Sequence, residues 1–277
     1  MDADPIVETA YAKINLALHV RRRDADGYHA IETLFAFAAD GDRLTLSDAP
    51  GLALTGPFAA ALAGGGDNLV LRAARGFAEA FGCGADQGFV LDTRLPVAAG
   101  IGGGSADAGA ALRLLCRAHA IDPADTMALA ASLGADVPAC LVSRPTRGVG
   151  RGEQLVPLDG VPSGMPLLLV NPMVPLTTGP VFQAWDQIDR GALEEGDPLA
   201  AALAGRNDLE APAIAILPVI GDVLASIGAQ PGARLVRMSG SGATCFALFD
   251  DAVALAAADR AIAEARPDWW RMATRLR

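Results

Sequence analysis

Lysine is almost missing from this chain. Of its 22 basic residues, 21 are arginine and one is lysine, Lys13. Acidic residues number 32 and the formal net charge is −10, so the positive field that nucleic-acid binding needs is absent. The densest basic run, Arg21-Arg22-Arg23, is followed by Asp24 and Asp26 and reads as a solvated hairpin tip. No nucleic-acid partner is expected. Cysteine is scarce too: Cys83, Cys116, Cys140 and Cys245 form no C-x-x-C pair, which excludes the common zinc and redox motifs. They read as reduced core thiols of a cytoplasmic protein. Long apolar runs are lacking, and Met165–Val170 is too short to span a bilayer, so no membrane partner is expected. No secretory leader is expected, because Met1-Asp2-Ala3-Asp4 is acidic where a secretory signal would be positive.

What is present is apolar bulk. The chain of 277 residues is 52% hydrophobic, which excludes intrinsic disorder. At this length roughly three-quarters of the unfolded surface is buried on folding, in one large or two medium domains, without a disulfide or metal staple. Over Glu8–Val20, Ala10, Ala12, Ile14, Leu16 and Leu18 fall on one face, with Tyr11, Lys13, Asn15 and His19 on the other. That pattern predicts a half-buried strand with a lysine and an asparagine on its polar face. Asp24-Ala25-Asp26-Gly27 is a turn signal leading to a returning strand over 31–37. Further strands are predicted at 43–46, 52–54 and 89–95, and helices at 68–81 (capped by Asp67 or Asn68), 105–119 and 123–133. Beyond the Gly- and Pro-rich stretch 159–166, strands are predicted at 167–170, 235–238 and 245–249, and helices at 180–188, 213–227 and 252–265. Residues 193–207 read as a polar connection. This is an α+β pattern in two lobes, 1–159 and 160–277.

The richest segment chemically is Pro96-Val97-Ala98-Ala99-Gly100-Ile101-Gly102-Gly103-Gly104-Ser105-Ala106. Glycines let backbone approach a ligand, successive N–H groups form an anion nest, and the helix that follows adds its positive end. A flexible turn is the bland alternative, and it leaves four clustered glycines before a helix unexplained. The loop is not a Walker A motif, which needs Gly-Lys-Ser/Thr, because the one lysine lies far upstream. Nor is it a dinucleotide fingerprint, since the third glycine of G-x-G-x-x-G is missing.

Together with Ala12-Lys13-Ile14-Asn15-Leu16, Asp26-Gly27-Tyr28-His29, Leu133-Gly134-Ala135-Asp136-Val137-Pro138 and Ser239-Gly240-Ser241-Gly242-Ala243, the loop resembles the GHMP-superfamily small-molecule kinases. These motifs run over nearly the whole chain in the family's order. The Lys-Ile-Asn and Asp-Gly-Tyr-His elements resemble the branch acting on a cytidine diphosphate-linked alcohol. The resemblance implies an S5-like N-terminal lobe, a ferredoxin-like C-terminal lobe and an active-site cleft between them. It implies an enzyme that moves the γ-phosphoryl group of ATP, with Mg²⁺, to the 2-hydroxyl of a methylerythritol carried on cytidine diphosphate, in non-mevalonate isoprenoid synthesis. A cytoplasmic monomer or weak homodimer is the expected form.

Carried over by position, Lys13 and Asp136 are the catalytic residues and Pro96–Ala106 binds ATP. Asn15, Tyr28, His29, Thr178 and Phe182 bind the substrate, with Tyr28 and Phe182 sandwiching the cytosine and His29 bonding it. A carboxylate can take the hydroxyl proton while an ammonium beside it offsets the phosphoryl charge. Taken alone, Asp136 would read as a helix-end aspartate and Phe182 as core. His19 and His119 read as structural, and Asn68 falls near the adenine. The sequence departs from the family at Ala98 and Ala99, where glycines are usual, and at Tyr11, where proline is usual. Ala106 and Asp107 replace a serine and an asparagine. The metal ligands therefore stay open between Ser105 and Asp107. The rival readings are another GHMP kinase with a sugar or amino-acid alcohol as acceptor, and a catalytically dead nucleotide-binding protein on the same fold.

Overall fold

The structure, a computed structural model, describes residues 6–63, 68–83 and 86–277. Asp67 and Met1-Asp2-Ala3-Asp4 lie outside the described residues. Along the first part run β1 (Val7–Arg23), β2 (His29–Ser47), β3 (Leu52–Thr55), α1 (Ala59–Leu62), α2 (Leu69–Phe81), β4 (Gly88–Asp92), α3 (Gly103–His119), α4 (Met127–Leu133) and α5 (Val137–Val142). Then follow β5 (Thr146–Gly150), β6 (Gln154–Pro157), β7 (Pro166–Asn171), α6 (Thr178–Gln183), α7 (Pro198–Ala204), α8 (Glu210–Ile216) and α9 (Val219–Gly228). The chain closes with β8 (Ala233–Met238), β9 (Cys245–Phe249), α10 (Ala252–Ala265) and β10 (Trp270–Arg275).

These elements form two compact units, each discontinuous in sequence. One takes the described residues of Met1–Ala12, Asp40–Val97 and Gly102–Ser143; the other takes Lys13–Ala39, Ala98–Ile101 and Arg144–Arg277. Residues 13–39 and 144–159 therefore group with the C-terminal residues rather than with the rest of 1–159, because β1 and β2 each change unit partway along.

In the first unit, Arg43–Ser47 of β2 pairs antiparallel with β4, and β4 pairs parallel with β3. The strand expected at 43–46 is the far end of a single strand, β2. Gly41 explains the continuity: a Cβ there would sit 1.9 Å from the Ala10 carbonyl oxygen, so only glycine lets the backbones pass. β4 stops at Asp92, three residues short of expectation, because the N–H groups of Arg94 and Leu95 turn to the Asp42 carboxylate. Helix α3 packs against α2 and α5. Asn68 caps α2 by accepting from the Val70 N–H at 2.8 Å, and Gly82, at φ +69°, ends it.

In the second unit, Ile31–Phe35 of β2 pairs antiparallel with β5, which pairs with β6. A separate antiparallel sheet runs β10-β7-β9-β8. With α9 between its first and second strands in the sequence and α10 between its third and fourth, this is the β-α-β-β-α-β arrangement of a ferredoxin-like fold. Leu168, Val170, Val181, Trp185, Ile220, Val223, Phe249 and Ile262 are among its buried core. The connection expected over 193–207 contains α7, with Pro198 in its first turn and Asp197 capping it through the Ala200 N–H at 2.7 Å. The helix expected at 213–227 is broken where Leu217, preceding Pro218, leaves helical geometry at φ −134° and ψ 83°. The helix expected at 180–188 begins earlier, at Thr178, and ends at Gln183.

Candidate active site

Alternation along β1 predicted a half-buried strand with a polar face. The structure buries it: Lys13, Asn15 and His19 are each no more than 3% exposed. Burial at that depth requires partners. Lys13 Nζ donates to Asn15 Oδ1 at 2.9 Å and lies 5.2 Å from the Phe35 ring centre. Asn15 Nδ2 donates to Thr33 Oγ1 at 2.8 Å, and Thr33 passes the chain to the Ala17 carbonyl at 2.7 Å. The only lysine thus has its ammonium bonded into a chain that runs through Asn15 and Thr33 to the Ala17 carbonyl. His19 is structural, as expected. Its Nδ1 bonds the Gly191 carbonyl and its Nε2 accepts from the Arg206 N–H, and burial, then the Arg206 charge, lowers its pKa.

The glycine-rich loop is held by its carbonyls. Thr244 N–H donates to Ala99 O at 3.1 Å, Ser239 Oγ to Gly100 O at 3.0 Å, and Lys13 N–H to Ile101 O at 3.0 Å. Ala98, Gly100 and Gly102 all have positive φ, between 54° and 74°, which rotates successive peptides. Among the described residues, none of the N–H groups from Gly100 to Ser105 is bonded to a protein acceptor; the first helical bond of α3 is Ala106 N–H to Gly102 O. Six donors and the positive end of a 17-residue helix are what a polyphosphate needs. The helix begins two residues earlier than expected, so Gly103 and Gly104 supply first-turn donors. Within the loop Pro96 and Ala99 are buried, Val97 and Ala98 exposed, and Ser105 half-buried. The Ser239–Ala243 turn is packed against the loop: a Cβ on Gly100 would lie 2.5 Å from Gly242 O.

Asp136 stands at the N-cap of α5 with its side chain half-buried, and its carbonyl starts the helix by accepting from Cys140 N–H. Helix α5 went unread in the sequence because it is only six residues long.

The substrate candidates fall into two groups. His29 is buried, its ring centre 5.1 Å from that of Phe182 and 5.8 Å from that of Trp185. Burial, then the Arg23 charge, lowers its pKa, so at neutral pH it offers one donor and one acceptor nitrogen. Thr178 Oγ1 is 3.0 Å from Ser241 Oγ. Tyr28 instead is 58% exposed and lies over the Arg151 guanidinium, 3.8 Å from its ring centre, while Arg151 also pairs with Asp26. Arg151 was missed; a cation one hairpin away leaves no periodic signal.

Two carboxyl groups also went unnoticed as partners. Asp107 is 4% exposed, its Oδ1 is unpartnered, and it shares a hydrogen bond with Asp42. Burial, then the Asp42 charge, lifts its pKa well above the carboxylate range. Asp42 accepts from the Arg94 and Leu95 N–H groups, yet burial still pushes it up to about 6. No group of three or more His, Cys, Asp or Glu side chains able to hold a metal occurs among the described residues. Likewise, no helix among them is long and apolar enough to cross a membrane.

Family models for the GHMP kinases N terminal domain and the GHMP kinases C terminal domain match residues 68–144 and 186–267. A 4-diphosphocytidyl-2-C-methyl-D-erythritol kinase of Rhizorhabdus wittichii is 63% identical, covering 98% of this chain and 94% of the relative. A crystal structure of 4-(cytidine 5'-diphospho)-2C-methyl-D-erythritol kinase is 34% identical, with a TM-score of 0.78 over 98% of this chain and 99% of that one. The likeness to homoserine kinase from Cytophaga hutchinsonii, at 19% identity and a TM-score of 0.72 over 99% of this chain and 96% of that one, is one of fold. On these relatives and family models, the chain belongs to the 4-diphosphocytidyl-2-C-methyl-D-erythritol kinases, a family of the GHMP kinases.

Proposed function

We propose that the chain transfers the γ-phosphoryl group of ATP to the 2-hydroxyl of 4-diphosphocytidyl-2-C-methyl-D-erythritol, a step of non-mevalonate isoprenoid precursor synthesis. The observation that carries this reading is the run of unpaired N–H groups from Gly100 to Ser105 in a chain 63% identical to such a kinase. Pro96–Ala106 receives the triphosphate. The hydroxyl oxygen attacks the γ-phosphorus, the bond to the bridging oxygen breaks, ADP leaves, and Asp136 takes the hydroxyl proton. Lys13 balances the charge spread over the moving phosphoryl group, its ammonium held in place by Asn15. Arginine cannot serve there, since a planar fork does not fit where a compact ammonium sits.

His29 reads the cytosine edge, Phe182 lies against the base, and Tyr28, braced on Arg151, supplies a second aromatic face. Asn15 and Thr178 complete the substrate contacts.

Mg²⁺ fits one residue and not another. The Ser105 hydroxyl lies at the helix N-terminus with no side-chain bond among the described residues, so it would hold the metal on the nucleotide side, where the ion supplies charge neutralisation. The Asp107 carboxyl is already committed to Asp42 and does not fit.

The family models fall on either side of residue 160, which supports 1–159 and 160–277 as the two lobes at the level of sequence. An enzyme drawing on ATP and a small diphosphate works in the cytoplasm, as a monomer or weak homodimer, without nucleic-acid or membrane partners.

Purified protein given ATP, Mg²⁺ and the cytidyl substrate releases ADP. Asp136→Asn lowers kcat by about 10²-fold or more while nucleotide binding persists. Turnover of mevalonate or homoserine in place of the cytidyl substrate would overturn the specificity, and full activity of Asp136→Asn would overturn the base.

A further inference from the structure

We propose that Asp26 and Arg151 form a clamp that sets the pose of Tyr28 and thereby how tightly a cytidyl group is held, an inference that rests on Tyr28 being a cytosine-stacking residue. Tyr28 lies at the tip of the β1–β2 hairpin, and its backbone is fixed twice. Its carbonyl accepts from the Asp24 N–H at 2.7 Å, and its N–H donates to Asp26 Oδ1 at 3.1 Å. The exposed ring has no such tie and changes rotamer freely unless a contact stops it.

Arg151 makes that contact. It stands in the loop between β5 and β6, and the strand register puts its neighbour Gly150 opposite Ile31 of β2, so this loop reaches the hairpin that carries Tyr28. The loop is itself fixed, by Gly152 N–H to Val149 O at 3.1 Å and Arg151 N–H to the Glu153 carboxylate at 2.7 Å. The guanidinium carbon lies 3.8 Å from the Tyr28 ring centre, a distance that face-on stacking allows and an edge contact does not. The same guanidinium pairs with Asp26 Oδ2. One carboxylate thus holds the Tyr28 backbone with one oxygen and, through Arg151, the Tyr28 ring with the other. With one face of the ring under the guanidinium, the opposite face is left for a base. Arginine suits this task because a planar cation stacks flat and still pairs with a carboxylate. Arg151 acts through Tyr28 and is a positioning residue: a ring already held still loses less freedom on stacking, which is worth about two- to tenfold in affinity. The rival role, direct contact of the cation with the ligand's diphosphate, would not need the Tyr28 ring.

The test is a double-mutant cycle, read by calorimetric titration of the full chain with cytidine 5'-diphosphate. Arg151→Ala is expected to weaken binding about two- to tenfold, and Tyr28→Ala about fivefold or more. In the Tyr28→Ala background, Arg151→Ala is expected to have no further effect. Because the Asp26–Arg151 pair is exposed and adds little to folding, the denaturant midpoint of Arg151→Ala stays near that of wild type. Wild-type affinity of Arg151→Ala would overturn the proposal. So would an equal loss in both backgrounds, the signature of a guanidinium that touches the ligand, or a loss matched by a fallen midpoint, the signature of a purely structural contact. If Arg151→Ala does not fold, Asp26→Asn decides. It keeps an oxygen for the Tyr28 N–H, drops the charge pair and is expected to bind about twofold or more weakly, whereas unchanged affinity would sink the clamp. A wild-type chain that binds no cytidine 5'-diphosphate, or binds it equally well after Tyr28→Ala, would overturn the stacking site and the clamp with it. The titration involves neither ATP nor turnover, so inactivity towards the cytidyl substrate would refute the proposed activity while leaving this result standing.

Discussion

Ala98 holds a left-handed backbone, at φ 54°, in the glycine-rich loop. Its Cβ meets the following carbonyl in that conformation, which costs an alanine more than a glycine by about 1–2 kcal/mol. Glycine also gains entropy in the unfolded chain, offsetting part of that difference. Ala98→Gly is therefore expected to raise stability by about 0.5–1 kcal/mol, read as a higher denaturant midpoint. Ala99, which also replaces a usual glycine, has no such backbone and offers no such gain. His19 carries a pH prediction. The native ring is kept neutral between the Gly191 carbonyl and the Arg206 N–H, with its pKa below 6.5 through burial first and Arg206 second. In the unfolded chain it titrates near 6.5, so below that pH the unfolded state takes up the proton first. Native stability then falls as pH drops through 6.5 towards the lowered value. Denaturant titrations at descending pH are expected to show that slope in wild type and less of it in His19→Gln.

Helix packing sets the sign of a common stabilising change. Gly→Ala inside a helix usually gains about 0.5–1 kcal/mol. At Gly109 of α3 the new Cβ would lie 2.7 Å from the Cys140 carbonyl carbon and 2.8 Å from its oxygen, in α5. Backbone cannot yield there as a flexible side chain can, so Gly109→Ala is expected to destabilise by about 1–3 kcal/mol, the usual cost of overpacking, in equilibrium unfolding. The elements themselves were largely legible. α10 lies at 252–265 and β9 at 245–249, as expected, because Asp251 caps the first and uninterrupted apolar residues make the second. The long β2 was not, because Gly41-Asp42 looks like a break until Ala10 is known to lie against it. β10 was missed because Trp270–Arg275 alternates poorly; its place is set by pairing with β7, about a hundred residues earlier in the chain. Candidate site residues were named from motifs, which are local in the sequence. The Asp42–Asp107 pair and the Tyr28–Arg151 contact join distant positions and left no local pattern.

At the scale of the molecule, the proposed nucleotide site at the N–H groups of Gly100 to Ser105 would link ligand binding and fold in one equilibrium. A nucleotide that binds only the native state adds about 2.7 kcal/mol at one hundred times its dissociation constant. Scanning calorimetry is expected to show a melting temperature that climbs with ATP-analogue concentration, and more steeply with Mg²⁺; a midpoint indifferent to nucleotide would contradict the cradle. The same α+β pattern carries the homoserine kinase likeness, so architecture alone does not select the acceptor; on the proposed reading that selection falls to His29 and Phe182. Finally, the chain has one lysine and that lysine is buried on β1 beside Asn15. Protein grown on isotope-labelled lysine would therefore return a single side-chain resonance, already assigned, whose shift on adding nucleotide or substrate tests the proposed place of Lys13 without any probe being attached.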